Sequence, residues 1–311
     1  MMKLKCMVFN LMIAVCFGCI LQSCTGRDGA CPVSAEHVVV IGIDGLTGEG
    51  LMQAKTPVMD KLIANGAFKY DARAILPTVS APNWGAMIHG AGPEATGIIS
   101  NDHQKWMPPV DNSRMGMFPS IFNIIREQLP EAEQGAIFHW DGFGQLFQKE
   151  TVNRFDTYHS PEETIRQVGD YITSKKPTFL FIQLDHVDGA GHGHGYKSPE
   201  YLEAVAKADS LTGQIIESIR QAGIEGNTLV MIVSDHGGIY TGHGGESTDE
   251  INVPVIFYGK GVKKNYKIQQ TVYMYDVAAN VAFALHLKMP HSWTGRPTLP
   301  AFRGYQEPEN H

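Results

Sequence analysis

Acidic and imidazole side chains follow three short apolar segments of this chain, directly after the point where each segment ends. They are Asp44 after residues 38–43, Asp185 and Asp188 after 178–184, and Asp235 with His236 after 228–233. A single Asp in such a place is ordinarily a turn residue or a helix cap. In an open α/β sheet, however, ligands bind beyond the carboxyl ends of the strands. Three such segments therefore predict one edge of a sheet that is rich in carboxylates and imidazoles.

The segment from Asp188 to His194 has the composition of a metal site. Asp188 and His192 are separated by Gly, Ala and Gly, and His194 follows two residues later. We expect a loop that brings the carboxylate and the imidazole to one ion. Zinc accepts such mixed oxygen and nitrogen ligands.

A second histidine-containing segment lies further along the chain. Residues 234–238 read Ser-Asp-His-Gly-Gly, and residues 242–245 read Gly-His-Gly-Gly, which adds His243 to the candidate ligands. Glycine beside each histidine permits tight turns and close approach of the backbone. The alternative is a glycine-rich surface loop with solvated histidines. The histidines without such neighbours are expected on the surface or in the core: His89, His139, His159, His286 and His291.

The elements that must position these residues are those of an α/β fold. Residues 38–43 are apolar and mostly β-branched, as in a parallel strand covered on both faces. Further strands are predicted at 178–184, 228–233 and 253–257, and helices at 57–64, 199–222 and 274–287. We predict one doubly wound domain over residues 37–311, with a mostly parallel sheet, helices on both faces and its last element near residue 300. Residues 108–156 have weak periodicity, and we expect a cap that selects the leaving group there.

The composition excludes several classes of protein. Of the 311 residues 43% are hydrophobic and 18% are charged, which excludes a disordered chain or a coiled coil. The 25 basic and 32 acidic side chains give a net charge of −7, so nucleic acid is not expected as a structural partner.

The N-terminus has the pattern of an export signal. Lys3 and Lys5 precede an apolar run over residues 7–21, and the following Leu-Gln-Ser-Cys resembles a bacterial lipoprotein cleavage box. We predict a signal peptide over residues 1–23, a lipidated Cys24 and a tether over residues 24–36. Ordinary cleavage and a retained anchor are the alternatives. Lipidation would place the protein in the periplasm or on the cell surface of a bacterium, with the lipid as its only membrane contact. Only Cys31 would then be left as a free thiol, which excludes a disulfide within the mature chain.

Five motifs together resemble those of the alkaline phosphatase superfamily, in its branch of type I phosphodiesterases and nucleotide pyrophosphatases. They are Asp44-Gly45, the segment from Pro77 to Asn83, Asp188 to His192, Asp235-His236-Gly237, and His243. The resemblance implies two zinc ions, with other divalent metals as alternatives. One ion would be held by Asp188, His192 and His243, and the other by Asp44, Asp235, His236 and the oxygen of the nucleophile. Asp185, His186 and His194 match no ligand position, and we expect them to contact the ligands or the substrate.

The resemblance also implies the nucleophile. The family has a Thr or Ser two residues before a Pro-Asn pair at the start of a helix, which here is Ser80, with Thr78 as the alternative hydroxyl. A helix N-terminus suits an arriving phosphate. Asn101 lies at the position of an amide that donates to a phosphoryl oxygen, although it could also be only part of a turn.

The residues that follow Ser80 in the sequence limit the possible substrate classes. Sulfatases of the superfamily have an arginine at the position of Trp84, which argues against a formylglycine enzyme, and no arginine follows Ser80 until Arg114. Ala81 stands where nucleotide-cleaving relatives have an aromatic residue, so nucleotide specificity is open. Aromatic residues that either contact the second substituent of a diester or simply pack are Trp84, Trp106, Trp140 and Tyr196.

Three functions are therefore considered for this chain. The first is a phosphodiesterase or pyrophosphatase that acts on a small phosphate ester through a covalent phospho-serine. The second is a phosphomonoesterase, phosphonate hydrolase or phosphotransferase. The third is a surface-tethered binding module without activity. The sequence does not indicate an oligomeric state.

Overall fold

The computed structural model describes residues 33–111 and 116–305. Its central element is a single mixed sheet of eight strands. Its strands are β1 (His37–Ile43), β2 (Ala67–Arg73), β3 (Gln134–Phe138), β4 (Arg154–Thr157), β5 (Phe179–Leu184), β6 (Thr228–Val233), β7 (Asn252–Gly259) and β8 (Tyr266–Lys267). The expected signal peptide, Cys24, Cys31 and Arg114 lie outside the described residues, so these predictions stay open.

The helices lie on both faces of the sheet. They are α1 (Gly48–Gln53), α2 (Pro57–Ala64), α3 (Ser80–His89), α4 (Pro93–Thr96), α5 (Ile121–Gln128), α6 (Pro161–Lys175), α7 (His186–His194), α8 (Pro199–Gln221), α9 (Thr248–Ile251) and α10 (Asp276–Ala284). Within residues 33–111 and 116–305, no helix combines the length and apolar character needed to cross a bilayer.

The strand order is β4-β3-β5-β1-β6-β7-β2-β8. The first five strands of this order run parallel, whereas β7 runs antiparallel to both β6 and β2. The predicted doubly wound, mostly parallel α/β fold is confirmed. Because β1, β5 and β6 are adjacent and parallel, the residues that follow them meet at one edge of the sheet.

The strand β1 contributes to two apolar layers, one on each face of the sheet. Val38 and Val40 pack in the layer that contains Trp84, and Val39 and Ile41 pack in the layer that contains Tyr201. These side chains are buried, and each buried apolar side chain of this size stabilises the fold by about 1.5–3 kcal/mol. Burial on both faces explains why the strand is uniformly apolar.

Three predictions about elements are wrong. Asp188 and His192 lie on the helix α7 and not on a loop. The helix expected at 274–287 is shorter, over Asp276–Ala284. The range 108–156, expected to hold a cap, instead contributes β3 and the start of β4 to the central sheet, and β3 pairs directly with β5.

Candidate active site

The predicted ligands are brought together at the carboxyl edge of the sheet. Asp44 follows β1, Asp188 and His192 lie on α7 after β5, and His236 follows β6. Two sets of ligand atoms lie within 4.8 Å of one another: Asp188, His192 and His243 form one, and Asp44, Asp188 and His236 form the other. The two sets share Asp188, so they are adjacent to each other.

Distances within the cluster link the imidazoles to the carboxylates. The Nε2 atom of His236 lies 3.4 Å from Oδ1 of Asp44 and 3.2 Å from Oδ2 of Asp235. The Nε2 atom of His192 lies 3.2 Å from Oδ2 of Asp188. The rings of His236 and His243 stack at 3.6 Å between their centroids. Asp235 therefore lies beside His236, although it is not part of either set.

Each of the three histidines is oriented by a backbone carbonyl. The Nδ1 atom lies 2.8 Å from the oxygen of Thr241 in His192, 2.9 Å from that of Gly237 in His236, and 2.8 Å from that of Thr78 in His243. An Nδ1–H donor in each ring leaves Nε2 as the free nitrogen, and all three Nε2 atoms face the carboxylates. Such a carbonyl partner is the usual support of a metal-binding histidine.

Two carboxylate oxygens of the cluster lack a hydrogen-bond partner in the described part of the chain. Oδ1 of Asp44 and Oδ2 of Asp235 are buried without any partner among the described residues. Burial first, and then the neighbouring carboxylates, raise the pKa of Asp44 and of Asp235 well above the ordinary value, while burial lowers the pKa of His236 to about 3. Buried carboxylates are costly unless a cation compensates them. Oxygen and nitrogen donors in this number fit zinc or another divalent metal ion.

Ser80 lies at the edge of this cluster. It is the first residue of α3, it is buried, and its Oγ atom lies 3.2 Å from Nε2 of His236. The side chain of Asn83 holds the loop that leads to Ser80: it accepts a hydrogen bond from the amide of Ile75 and donates to the carbonyls of Pro77 and Val79. This role of Asn83 has no signal in the sequence beyond its place in the Pro-Asn pair.

Thr78, the alternative nucleophile, is engaged elsewhere. Its hydroxyl donates to the carbonyl of Gly245 at 2.7 Å and accepts from the amide of Gly244 at 3.1 Å. Its own carbonyl is the partner of His243. Thr78 therefore fixes the loop that carries His243, and its hydroxyl does not face the cluster.

Asn101 lies next to the first turn of α3. Its Oδ1 atom accepts a hydrogen bond from the amide of Ala81 at 2.8 Å, while the residue itself is exposed. The Nδ2 group has no acceptor within the described part of the chain. It is therefore available to a ligand beside Ser80.

The aromatic residues considered as substrate contacts are placed differently from one another. Trp84 is fully buried and donates its Nε1–H to Oδ2 of Asp44, and the buried Tyr196 donates its hydroxyl to Oδ1 of Asp188. For these two residues the structure favours the packing alternative, because both are buried and bonded to candidate ligands. Trp106 is half-buried, with its Nε1–H on the carbonyl of Ser100, and Trp140 is half-buried as well.

The remaining residues singled out in the sequence have separate environments. Asp185 is beside the ligands, since Gln183 lies between it and Asp44. His186 is half-buried, and its ring nitrogens lie near the backbone of Ala204 on α8 and away from the candidate ligands, so the expected contact with the ligands is not made. His194 is exposed at the end of α7. The amide-bearing Gln183, which the sequence analysis did not consider, donates to Asp44 directly.

Comparison with known proteins identifies the same family as the sequence motifs. The model of the family "type I phosphodiesterase / nucleotide pyrophosphatase" matches residues 38–117 and 126–253. Ectonucleotide pyrophosphatase/phosphodiesterase family member 1 from Mus musculus is 26% identical over 70% of this chain, and the chain spans only 26% of its length. Bis(5'-adenosyl)-triphosphatase ENPP4 from Homo sapiens is 22% identical over 64% of this chain and 47% of its own length.

Solved structures share the fold. An inactive variant of murine ectonucleotide pyrophosphatase/phosphodiesterase 5 in complex with AMP has a TM-score of 0.67 at 17% identity, covering 82% of this chain and 96% of its own. A 2-O GAG sulfatase has a TM-score of 0.71 at 15% identity, covering 89% of this chain and 76% of its own. The superfamily expected from the motifs is confirmed, and the protein is a member of the type I phosphodiesterase / nucleotide pyrophosphatase family.

Proposed function

We propose that this protein is a metal-dependent hydrolase that cleaves phosphodiester or pyrophosphate bonds through a covalent phospho-serine at Ser80. The observation that carries the proposal is the 3.2 Å distance from Oγ of Ser80 to Nε2 of His236, inside a cluster of buried carboxylate oxygens that lack partners. We assign the nucleophile to Ser80 and not to Thr78, because the Thr78 hydroxyl already donates a hydrogen bond to the carbonyl of Gly245.

The cluster fits two zinc ions. Asp188, His192 and His243 would hold one ion, and Asp44, Asp235 and His236 would hold the other beside Ser80. When bound, the metal pair supplies stabilisation of the serine alkoxide and of the negative charge on the phosphoryl group.

The side chains of the protein then perform two displacements. Oγ of Ser80 forms a bond to phosphorus as the bond from phosphorus to the leaving oxygen breaks. A water molecule next attacks the phospho-serine, breaks the bond between Oγ and phosphorus, and restores the Ser80 hydroxyl. The Nδ2 group of Asn101 would donate to a phosphoryl oxygen, and the hydrogen bond that Oδ1 accepts from the amide of Ala81 supports this role. One such donor typically contributes about 3 kcal/mol in the transition state.

A diester suits the site better than a monoester. Among residues 33–111 and 116–305, no lysine or arginine is hydrogen-bonded or ion-paired to Ser80, Asn101 or the candidate metal ligands. A monoester carries an additional anionic oxygen that a cationic side chain would ordinarily bind. The described residues thus pair no cationic side chain with the candidate nucleophile, amide or ligands, which favours a substrate whose phosphoryl group carries one charge.

The decisive experiment compares two chromogenic esters with the same leaving group. The zinc-loaded protein should hydrolyse bis(p-nitrophenyl) phosphate with a higher kcat/KM than p-nitrophenyl phosphate. A strong preference for the monoester would instead support a phosphomonoesterase. A protein that neither contains nor takes up a divalent metal would be a binding module. Since relatives are named for nucleotide substrates, diadenosine triphosphate belongs in the same panel.

We also propose that the protein is exported and anchored by lipid on Cys24. The support is the N-terminal pattern of Lys3, Lys5, the apolar run and the Leu-Gln-Ser-Cys box. Mass spectrometry of the mature N-terminus should find an acylated Cys24, and Cys24→Ser should move the protein from the membrane fraction to the soluble fraction. An unmodified N-terminus at another residue would support ordinary cleavage.

A further inference from the structure

The two oxygens of the Asp44 carboxylate have different partners. Oδ2 accepts two hydrogen bonds, from Nε1 of Trp84 at 3.1 Å and from Nε2 of Gln183 at 3.0 Å. Oδ1 accepts none from the described residues and lies 3.4 Å from Nε2 of His236. Oδ2 of the Asp44 carboxylate therefore faces Trp84 and Gln183, and Oδ1 faces the candidate metal ligands.

The orientation of Gln183 is fixed by its own oxygen. Oε1 of Gln183 accepts hydrogen bonds from the amides of His139 at 3.1 Å and Trp140 at 2.9 Å. The Nε2 group must therefore point at Asp44. Gln183 is fully buried in β5, where it pairs with Gly42 of β1, two residues before Asp44.

The indole of Trp84 is equally constrained. It packs edge-on against Phe143 and Phe181, with ring centroids 5.9 and 6.0 Å away. A Cβ atom on Gly42 would lie 2.6 Å from the indole, so β1 can accommodate the ring only because residue 42 is glycine. The indole cannot turn away from Asp44 without displacing the core.

Trp84 also links the metal ligand to the nucleophile. It lies four residues after Ser80 on α3, which places both side chains on one face of the helix. The hydrogen bond from Trp84 to Asp44 therefore ties the end of β1 to the helix that carries Ser80. In the sequence pattern of the sulfatases, the position of Trp84 is occupied by an arginine.

We propose that Trp84 and Gln183 are positioning residues that hold Asp44 as a one-oxygen metal ligand through Oδ1 and align it with Ser80. This inference rests on the proposed function and adds residues to the same site. Both side chains are fully buried, and each donates to the Asp44 oxygen that points away from His236. They act on the metal only through Asp44.

The test is the zinc affinity of Trp84→Phe and Gln183→Met, measured by competition with a chromogenic chelator. Gln183→Met keeps the size of the side chain but removes both its N–H donor and the Oε1 acceptor of the His139 and Trp140 amides. Trp84→Phe keeps an aromatic ring, removes the N–H donor and leaves a small cavity. We expect the affinity for the more weakly bound zinc to fall about ten- to a hundredfold, as is typical when a partner of a metal ligand is lost. Gly42→Ala should lower the affinity in the same direction, because the added methyl group displaces the indole without removing any donor.

The chain offers matched controls for both substitutions. Trp293 is a buried tryptophan whose Nε1–H bonds the carbonyl of Pro119 at 2.9 Å. Gln134 is a buried glutamine that donates to the carbonyls of Phe122 and Thr151. Trp293→Phe and Gln134→Met should lower the thermal stability while leaving the zinc affinity within about twofold, because both residues belong to other parts of the core.

Two outcomes decide the inference separately from the proposed function. Wild-type protein that binds no zinc would overturn the function itself. Zinc binding by the wild type with unchanged affinity in Gln183→Met and Trp84→Phe would overturn the positioning role alone. If Trp84→Phe fails to fold, Gln183→Met decides, and excess zinc should restore most of its diesterase activity, which a merely unfolded protein would not regain.

Discussion

The hydroxyl of Ser80 lies 3.2 Å from Nε2 of His236, whose other ring nitrogen is held on the carbonyl of Gly237. The serine comes from the first turn of α3 and the histidine from the loop after β6, 156 residues later. Their contact places a nucleophilic oxygen at the edge of a group of buried carboxylates. A hydroxyl that only capped the helix would need no such neighbour.

We expect Ser80→Ala to lower kcat/KM for bis(p-nitrophenyl) phosphate at least about a thousandfold, because the attacking oxygen is lost. Zinc content should stay near that of the wild type, since six side chains of the cluster remain. Steady-state kinetics and metal analysis of the same preparation check both expectations.

The matched variant is Thr78→Val. It removes the hydrogen bonds to Gly244 and Gly245 but keeps the carbonyl that orients His243, so it should cost about 1–3 kcal/mol of unfolding free energy and retain turnover. Full activity in Ser80→Ala together with an inactive Thr78→Val would transfer the nucleophile to Thr78.

Asn101 can be tested by separating its two atoms. Asn101→Asp keeps the acceptor for the amide of Ala81 but loses the Nδ2 donor and adds a negative charge, whereas Asn101→Ala loses both. We expect kcat/KM to fall about a hundredfold in each variant, with the larger loss of thermal stability in Asn101→Ala. Unchanged kinetics in Asn101→Asp would leave Asn101 as part of a turn and nothing more.

The parts of the fold that were predictable are those with a continuous apolar pattern. The strands β1, β5 and β6 are buried on both faces, and the ends of these strands place Asp44, Asp188 and Asp235 at one edge. The strand β3 escaped prediction because it begins with Gln134 and Gly135, which leaves an apolar run of only residues 136–138. Gln134 is tolerated in the core only because its side chain bonds two carbonyls.

The helix α7 could not be predicted from local preferences. Its sequence contains three glycines, which disfavour a helix. Packing against a distant segment requires one of these glycines: a Cβ atom on Gly191 would lie 2.7 Å from the ring of Tyr196. A Cβ atom on Gly238, in the loop after β6, would lie 2.2 Å from the same ring. The glycines thus make room for the tyrosine that bonds Asp188. Such contacts between distant segments leave no period or spacing in the sequence, and the same holds for Trp84 and Asp44.

Removal of the metal should destabilise the protein, and more so at higher pH. The pKa values of Asp44 and Asp235 are raised by burial and neighbouring carboxylates. Between about pH 4 and the raised pKa values, the metal-free folded state therefore binds more protons than the unfolded state, and its stability falls as the pH rises through this range. We expect zinc to replace these protons.

At a zinc concentration about a thousand times Kd, zinc binding should raise the free energy of unfolding by about 4 kcal/mol, which corresponds to about 10 °C in Tm. Scanning calorimetry with zinc and with chelator, at pH 5.5 and pH 8, should show the larger difference at pH 8. Asp188→Asn, which weakens both ligand sets, should show little response to zinc. Equal shifts at both pH values would contradict protonated carboxylates in the metal-free cluster.

His186 should make the metal-free protein sensitive to acid. Burial against α8, together with the charge of Lys207, lowers the pKa of His186 to about 4. The unfolded state therefore binds more protons between pH 6.5 and pH 4, and this group's contribution to stability is lost as the pH falls through that range, by about 3 kcal/mol in all. His186→Leu removes the titrating group and keeps an apolar side chain of similar size against α8. Urea unfolding in the presence of chelator should find a flatter pH dependence in His186→Leu than in the wild type, whereas His159→Leu, at an exposed position, should follow the wild type.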